Sequence, residues 1–454
     1  MEPTSTASIK AARWLIAGLL VLNLYRAMTQ SVTPGEAWNF DRFIGPSWQD
    51  GFARVDINNH VLNTLLVRIS TTRFHLTELS LRLPSLLAGV FYLWAVFRIA
   101  RRWFGDGLPF LAVVGLLTLN PLIIDSLSEA RGYGMALACW MWALELLLES
   151  VESFSLQKLN LAAMCLGLSV VASLAFASPA CALLSVFLVW FKNPRLSQAS
   201  RLALPQICFL VAFILLVIPL NHADWKTLGV GASSLRQTID EMMALSLGTS
   251  TKGLASAIRV ALSLAAVATA CFALRYWRHR EGALAVLTGA TLPLTLALLL
   301  VAHRWLHTPF PQEGSIYLVP ITVLSVATII LKRHSNTARS IFLAFSAVLL
   351  ARYVGEIPFG MYQSGTQFAG GRLLAKTLRG YAGLGTVRIG VSLAAEPIMS
   401  YYRTRYRQGN WQPIDRQPLT AAYDYYVLTP DDAALVDQRH LHILYRDTGL
   451  TLAQ

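Results

Sequence analysis

Apolar runs alternate with short polar connections through most of this chain. A helix needs ~17–25 predominantly apolar residues to cross the hydrocarbon of a bilayer. Runs near that length predict eleven spans. They fall at about 14–28, 83–97, 108–124, 132–148, 159–175, 180–191 and 203–220, then one ending at Arg275, then about 282–302, 316–331 and 340–355. The first run begins at Trp14 and has no clear small-residue cleavage site after it, so it reads as an uncleaved span. A long polar loop, 29–82, separates the first two spans. A second polar loop follows Asn221 and extends to about Ser250.

The pattern changes after about residue 356. Gly371–Leu378 and Glu396–Arg407 read as amphipathic helices, and Thr386–Ser392 and Tyr423–Leu428 as strands. Thr429-Pro430-Asp431-Asp432 opens a helix to Gln438. His440–Tyr445 and Leu450–Leu452 read as a closing hairpin across Asp447-Thr448-Gly449. The expected fold class is an α-helical polytopic membrane protein, residues 1–355, followed by a small α/β domain outside the membrane, residues 356–454. The second domain has no glycine-rich phosphate loop, which argues against nucleotide binding.

Composition supports this. The chain is 55% hydrophobic and 14% charged, where soluble domains carry ~25% charge. The net charge of +13 does not point to nucleic acid, because the basic residues cluster at the ends of apolar runs. The Lys/Arg-rich connections at 98–106, 192–201, 275–281 and 332–339 share one side, which is expected to be cytoplasmic, with the amino terminus. The 149–158 connection departs from that bias, with Glu149 and Glu152 against Lys158. Cys139, Cys165, Cys181, Cys208 and Cys271 all lie within apolar runs without metal-ligand spacing.

Three polar stretches on the outer side could carry chemistry. Ser128-Glu129-Ala130-Arg131-Gly132-Tyr133 enters the fourth span. If Ser128 caps that helix, Glu129 and Tyr133 share a face and Arg131 stands where free N–H groups favour an anion. The alternative is an anchoring pair of Arg131 with Glu129 or Asp125. Glu36, in Thr33-Pro34-Gly35-Glu36, is a carboxylate at the interface that could serve as a general base, or simply a helix-start residue. Asp56 and His60 would be i,i+4 neighbours on a helix. Such a pair could hold a divalent metal, or Asp56 could cap an interfacial helix.

Together these segments resemble the GT-C superfamily of membrane glycosyltransferases, most closely the branch of lipid A aminoarabinose transferases and protein O-mannosyltransferases. Where that branch often shows Asp-Glu, this chain has Gly35-Glu36. Where it shows Asp-x-x-His-Pro-Pro-Leu, Asp56, His60 and Leu62 remain without the prolines. Ser128–Tyr133 is similar to its Gln-Glu-Ala-Arg-x-Tyr entry. Ile316-Tyr317-Leu318-Val319-Pro320 is similar to its Arg-Tyr-Leu-Leu-Pro run, without the arginine. The resemblance implies transfer of a sugar from a polyprenyl-phosphate donor to an acceptor on the outer, periplasmic face of a bacterial plasma membrane, with inversion. It implies Glu36 as base, with Asp56 as second candidate or metal ligand and His60 beside it. Arg131 would bind the leaving phosphate, positioned by Glu129, and Tyr133 and Tyr317 would line the donor site. Competing readings are a flippase for lipid-linked sugars and a non-catalytic assembly protein. In the carboxy-terminal region, Tyr401, Tyr402, Arg403, Arg405, Tyr406 and Trp411 could stack on sugars or form its core and rim.

Overall fold

A computed structural model describes residues 3–47, 59–221, 231–248, 255–277, 279, 282–332, 335–357, 359–414, 419–447 and 449–454. Six helices are long and apolar enough to cross a membrane: Ala7–Thr29, Glu78–Phe104, Tyr133–Glu152, Ala283–Leu306, Glu313–Leu331 and Asn336–Glu356. Five shorter apolar helices, Leu108–Thr118, Leu156–Ala172, Leu174–Trp190, Gln198–Ile214 and Ser263–Arg275, stand at the other predicted positions. Their buried faces form one large apolar core.

The third predicted span is not continuous. Helix Leu108–Thr118 stops, and a short helix Pro121–Ser126 follows. Pro121 supplies no backbone donor and pushes Asn120 to extended geometry (φ −60, ψ 123). The Asn120 side chain then accepts the Ile123 N–H and caps the new helix. Nor does Ser128 cap the fourth span. That helix begins at Tyr133, and the Ser128 hydroxyl donates back to Ile124 and Asp125 carbonyls. The intervening turn brushes its neighbours: a Cβ on Gly132 would sit 2.1 Å from the Ala172 carbonyl, and one on Gly134 2.0 Å from that of Ser126. Only glycine allows this crossing.

The acidic connection at 149–158 is also accounted for. Buried Glu145 takes Arg98 Nε and Arg102 Nη2, each at 2.9 Å. Glu149 pairs with Lys158 at 2.9 Å, and Glu152 with Arg102 at 2.5 Å. The acids thus neutralise the arginines that close the preceding span.

Beyond the far ends of the helices lies a second layer. Its four-stranded sheet comprises β1 (Ile389–Val391), β2 (Tyr425–Leu428), β3 (Ile443–Arg446) and β4 (Thr451–Ala453), ordered β1-β2-β4-β3. β1 and β2 are parallel, with Ile389 opposite Tyr425. β4 runs antiparallel to both β2 and β3. Helices Gly371–Ala382 and Glu396–Arg405 belong to the same layer. Its core is shared with the first outer loop: Val32, Ala37 and Phe40 pack in one cluster with Leu374, Trp411 and Leu452. Tyr401, Tyr402 and Trp411 are fully buried in that core, so they are not a sugar-stacking surface.

Polar contacts clamp the two layers. The Gln363 N–H donates to Asp125 Oδ2 at 2.9 Å, and Asp125 also pairs with Arg26 at 2.5 Å. The Tyr362 ring lies between the Arg26 and Arg82 guanidiniums, 4.5 and 4.7 Å from its centroid. Glu78 receives Arg372, Arg405 and the Tyr402 hydroxyl.

Candidate active site

Thr33 is extended (φ −78, ψ 159) and opens the helix Pro34–Asn39 with a reciprocal capping box. Its hydroxyl accepts the Glu36 N–H, and Glu36 Oε2 accepts the Thr33 N–H at 2.9 Å. Pro34 at the first helical position fixes φ there. The box turns the Glu36 carboxylate inward. There it meets Arg82 Nε at 2.8 Å and Nη2 at 2.6 Å, and the Ala130 N–H at 2.8 Å. The rest of Arg82 is bound as firmly: Nη1 to the Ala27 and Gln30 carbonyls, Nη2 to that of Ser31. Both side chains are 0% exposed. Expected as a base, Glu36 has both oxygens committed to this sealed pair.

The motif after Ala130 is arranged differently. Glu129 accepts the Thr33 hydroxyl at 2.6 Å, so Thr33 bridges the two carboxylates. Burial pushes the Glu129 carboxyl up to about 7, helped by the charges of Glu313 and Glu36 and opposed by Arg131 and the Thr33 hydroxyl. Arg131 passes over Gly35, where a Cβ would lie 3.1 Å from its Nε. Its guanidinium stands 5.0 Å from the Tyr133 ring centroid and pairs with Glu313. Burial disfavours its charge, but Glu313, Tyr133 and Glu129 outweigh that and hold it protonated. Arg131 Nε is buried without a partner among the described residues.

His60 precedes the helix Val61–Phe74 as its N-cap residue, at φ −73 and ψ 77, and Asn59 before it is not helical either. The expected helical face shared with Asp56 therefore does not form at His60; Asp56 itself lies outside the described residues. The ring is instead turned edge-on to Tyr133, with centroids 4.6 Å apart. Its Nδ1 lies 3.0 Å from the Ala172 carbonyl, which can only accept, so the proton sits on Nδ1 and the lone pair on Nε2. Burial, and then the Arg131 charge, push His60 down to about 3, and the ring is neutral at pH 7. Nε2 is buried and has no partner among the described residues. Asn63, one turn on, donates to the Ala130 carbonyl at 3.2 Å. Among the described residues no three His, Cys, Asp or Glu side chains converge as metal ligands.

Glu36, Glu129, Arg131, Tyr133 and His60 thus form one cluster. Tyr317 ends the short turn that begins at Glu313: fully buried, its ring is edge-on to Phe176 at 5.2 Å and its hydroxyl has no partner among the described residues. Sequence reasoning missed Arg82, Thr33 and Glu313. The signal for Arg82 was a charge at the mouth of an apolar run. Glu313, four residues before Tyr317, gave no local signal.

From Leu62 and Met135, two residues beyond His60 and Tyr133, an apolar groove of about 820 Å³ leads away. Leu87, Trp94, Trp142 and Cys165 also line it.

No protein-family model matches the chain, and no curated protein matches it. In structure it is similar to ArnT from Cupriavidus metallidurans. Against the crystal structure of ArnT bound to undecaprenyl phosphate, the TM-score is 0.56 at 14% identity, covering 97% of this chain and 97% of that one. Against ArnT in the apo state it is 0.58 at 13% identity, covering 98% of each chain. Identity this low establishes the fold and nothing finer. Across nearly its whole length the chain has the fold of ArnT from Cupriavidus metallidurans.

Proposed function

We propose that the protein is a membrane glycosyltransferase that moves a sugar from a polyprenyl-phosphate donor to an acceptor on the outer face. The observation that carries this reading is a charged, partly accessible Arg131 beside a buried carboxylate, four residues before Met135 of the apolar groove. Such a donor has a long apolar tail, a phosphate at headgroup level and a sugar in water. The groove suits the tail and Arg131 suits the phosphate. One neighbour in fold was solved with undecaprenyl phosphate bound.

In this mechanism Glu129 is the base. A carboxyl near 7 is half ionised at working pH, where proton acceptance is most effective. The acceptor's O–H or N–H proton passes to Glu129. Its oxygen or nitrogen then bonds to the anomeric carbon as the carbon–phosphate oxygen bond breaks. The negative charge leaving on the phosphate is met by Arg131. The neutral His60 accepts a sugar hydroxyl at Nε2, and Tyr133 lines the site. A single displacement of this kind inverts the anomeric centre. Glu36 and Arg82 hold Ala130 and Thr33, and through them Glu129, in position. The residues that would hold a divalent metal are Asp56, which lies outside the described residues, and His60; no step of the reaction is routed through a metal. The site belongs on the outer leaflet of a bacterial inner membrane, with the amino terminus and the Lys/Arg-rich connections inside.

The test uses purified protein in lipid, offered a panel of polyprenyl-phosphate sugars. Release of free polyprenyl phosphate is followed, because slow transfer to water needs no known acceptor. Release from at least one donor, abolished by Glu129→Gln, is expected. Movement of intact lipid-linked sugar between leaflets, with no release, would identify a flippase instead.

A further inference from the structure

Glu313 opens a short 3-10 turn, Glu313–Tyr317, at the head of a spanning helix. The turn is fastened from behind: the Gln312 amide donates to Glu241 at 3.3 Å, and the Ser315 hydroxyl to the Gln312 carbonyl at 2.6 Å. Its Gly314 lies against Tyr133 and Ala175, where a Cβ would stand 3.4 Å from the Tyr133 ring. This seat delivers the Glu313 carboxylate to Arg131 Nη1. Among the described residues Arg131 is its one hydrogen-bonding partner.

The pair is not sealed. The Arg131 and Glu313 side chains are 17% and 26% exposed, against 0% and 0% for Arg82 and Glu36. A partly solvated ion pair is worth little, because water replaces much of what is lost on breaking it. The product, a phosphate monoester, brings more negative charge than a carboxylate and three free acceptor oxygens; the donor, a phosphodiester, brings one charge and two free oxygens, and both suit a guanidinium fork. Arg131 also keeps its Nε unpartnered. One face of the guanidinium is therefore fixed by Tyr133 and Gly35, and the other is held by a ligand that a stronger anion can replace.

We propose that Glu313 is a built-in competitor at this anion site: its carboxylate holds Arg131, and a lipid-linked phosphate binds by displacing it. This rests on the reading of Arg131 as the phosphate ligand. Competition of this kind trades affinity for turnover. Because Glu313 is tethered beside the site, it returns to Arg131 as the product phosphate departs and shortens that product's residence.

The experiment is a titration of the protein in nanodiscs with undecaprenyl phosphate, comparing wild type, Glu313→Gln, Arg131→Gln and the double variant. Glu313→Gln removes one charge from the one partly exposed residue of an otherwise buried turn, and a thermal melt checks that each variant is folded. The competitor reading expects Glu313→Gln to bind about two- to fivefold more tightly, with slower dissociation. The gain must vanish in the double variant. Glu313→Asp, which keeps the charge but shortens the reach, must fall between wild type and Gln. A Glu313 that merely positions Arg131 would show the opposite sign. Unchanged or weaker binding in Glu313→Gln, with Arg131→Gln still impaired, overturns the competitor and leaves the phosphate ligand standing. If Arg131→Gln binds as wild type does, the phosphate reading falls and takes the competitor with it.

Discussion

Arg82 and Arg131 are both arginines facing a glutamate, within one cluster, and they have opposite fates. Arg82 is ringed by the Ala27, Gln30 and Ser31 carbonyls at the end of the first helix, and its carboxylate partner by two backbone N–H groups. Nothing remains to bind a ligand. Arg131 emerges from a glycine-flanked turn, where the backbone gives it no carbonyl ring, and its guanidinium is shared between a ring face and a side chain. The lesson is that an arginine's role is set less by its carboxylate than by the main chain around it. Satisfied on every donor, it is scaffold; satisfied on some, it is a ligand site.

The contrast can be broken most severely at Arg82. Arg82→Ala leaves Glu36 buried without its cation, and such losses cost about 3–5 kcal/mol. A chemical or thermal melt of the purified protein should show that loss, whereas Arg131→Ala, whose partner Glu313 stays partly exposed, should cost less while abolishing release of polyprenyl phosphate. If Arg131→Ala were the more destabilising of the two, the division into scaffold and ligand site would fail. A finer cut is Gly35→Ala. Its Cβ would lie 3.1–3.3 Å from Arg131 Nε, Cδ and Cζ, so the guanidinium must give by a few tenths of an ångström. The expected result is a roughly tenfold fall in rate with an unchanged melting curve; an unchanged rate would mean Arg131 need not be held in place. The smallest effect concerns pH. The rate should rise through about 7 as Glu129 ionises. The Glu313 charge raises the Glu129 carboxyl and Arg131 lowers it. Glu313→Gln removes the first influence, so the rising limb of kcat/KM should move to lower pH. A move to higher pH would dissociate Glu129 from that limb.

Much of the architecture was legible because it is written locally. Apolar runs gave the helices, and the carboxy-terminal strands fell within a few residues of their alternating segments: Tyr423–Leu428 was expected where β2 runs Tyr425–Leu428. The break at Pro121 was also local and was missed because hydrophobicity alone was weighed across it. The site was half legible. Glu129, Arg131 and Tyr133 stand out as polar residues at a lipid boundary. Their partners do not, because Glu36 meets Arg82 across 46 positions and Arg131 meets Glu313 across 182. No periodicity reaches that far. The burial of Tyr401, Tyr402 and Trp411 was hidden for the same reason, since their partners lie in the first outer loop.

The clasp between layers also has a meaning in time. Asp125 waits for Gln363 across 238 positions, and the Val32 N–H for the Tyr402 hydroxyl across 370. A ribosome delivers the floor of the candidate site early and its cover late. Between those moments Arg26, Arg82 and Glu78 sit at the membrane face without Tyr362, Arg372 or Arg405. Glu36 and Asp125 can neutralise Arg82 and Arg26 early, but the cover over these charges comes only with the last fifth of the chain. Chain order itself delays the finished cluster until the last fifth of the sequence has arrived.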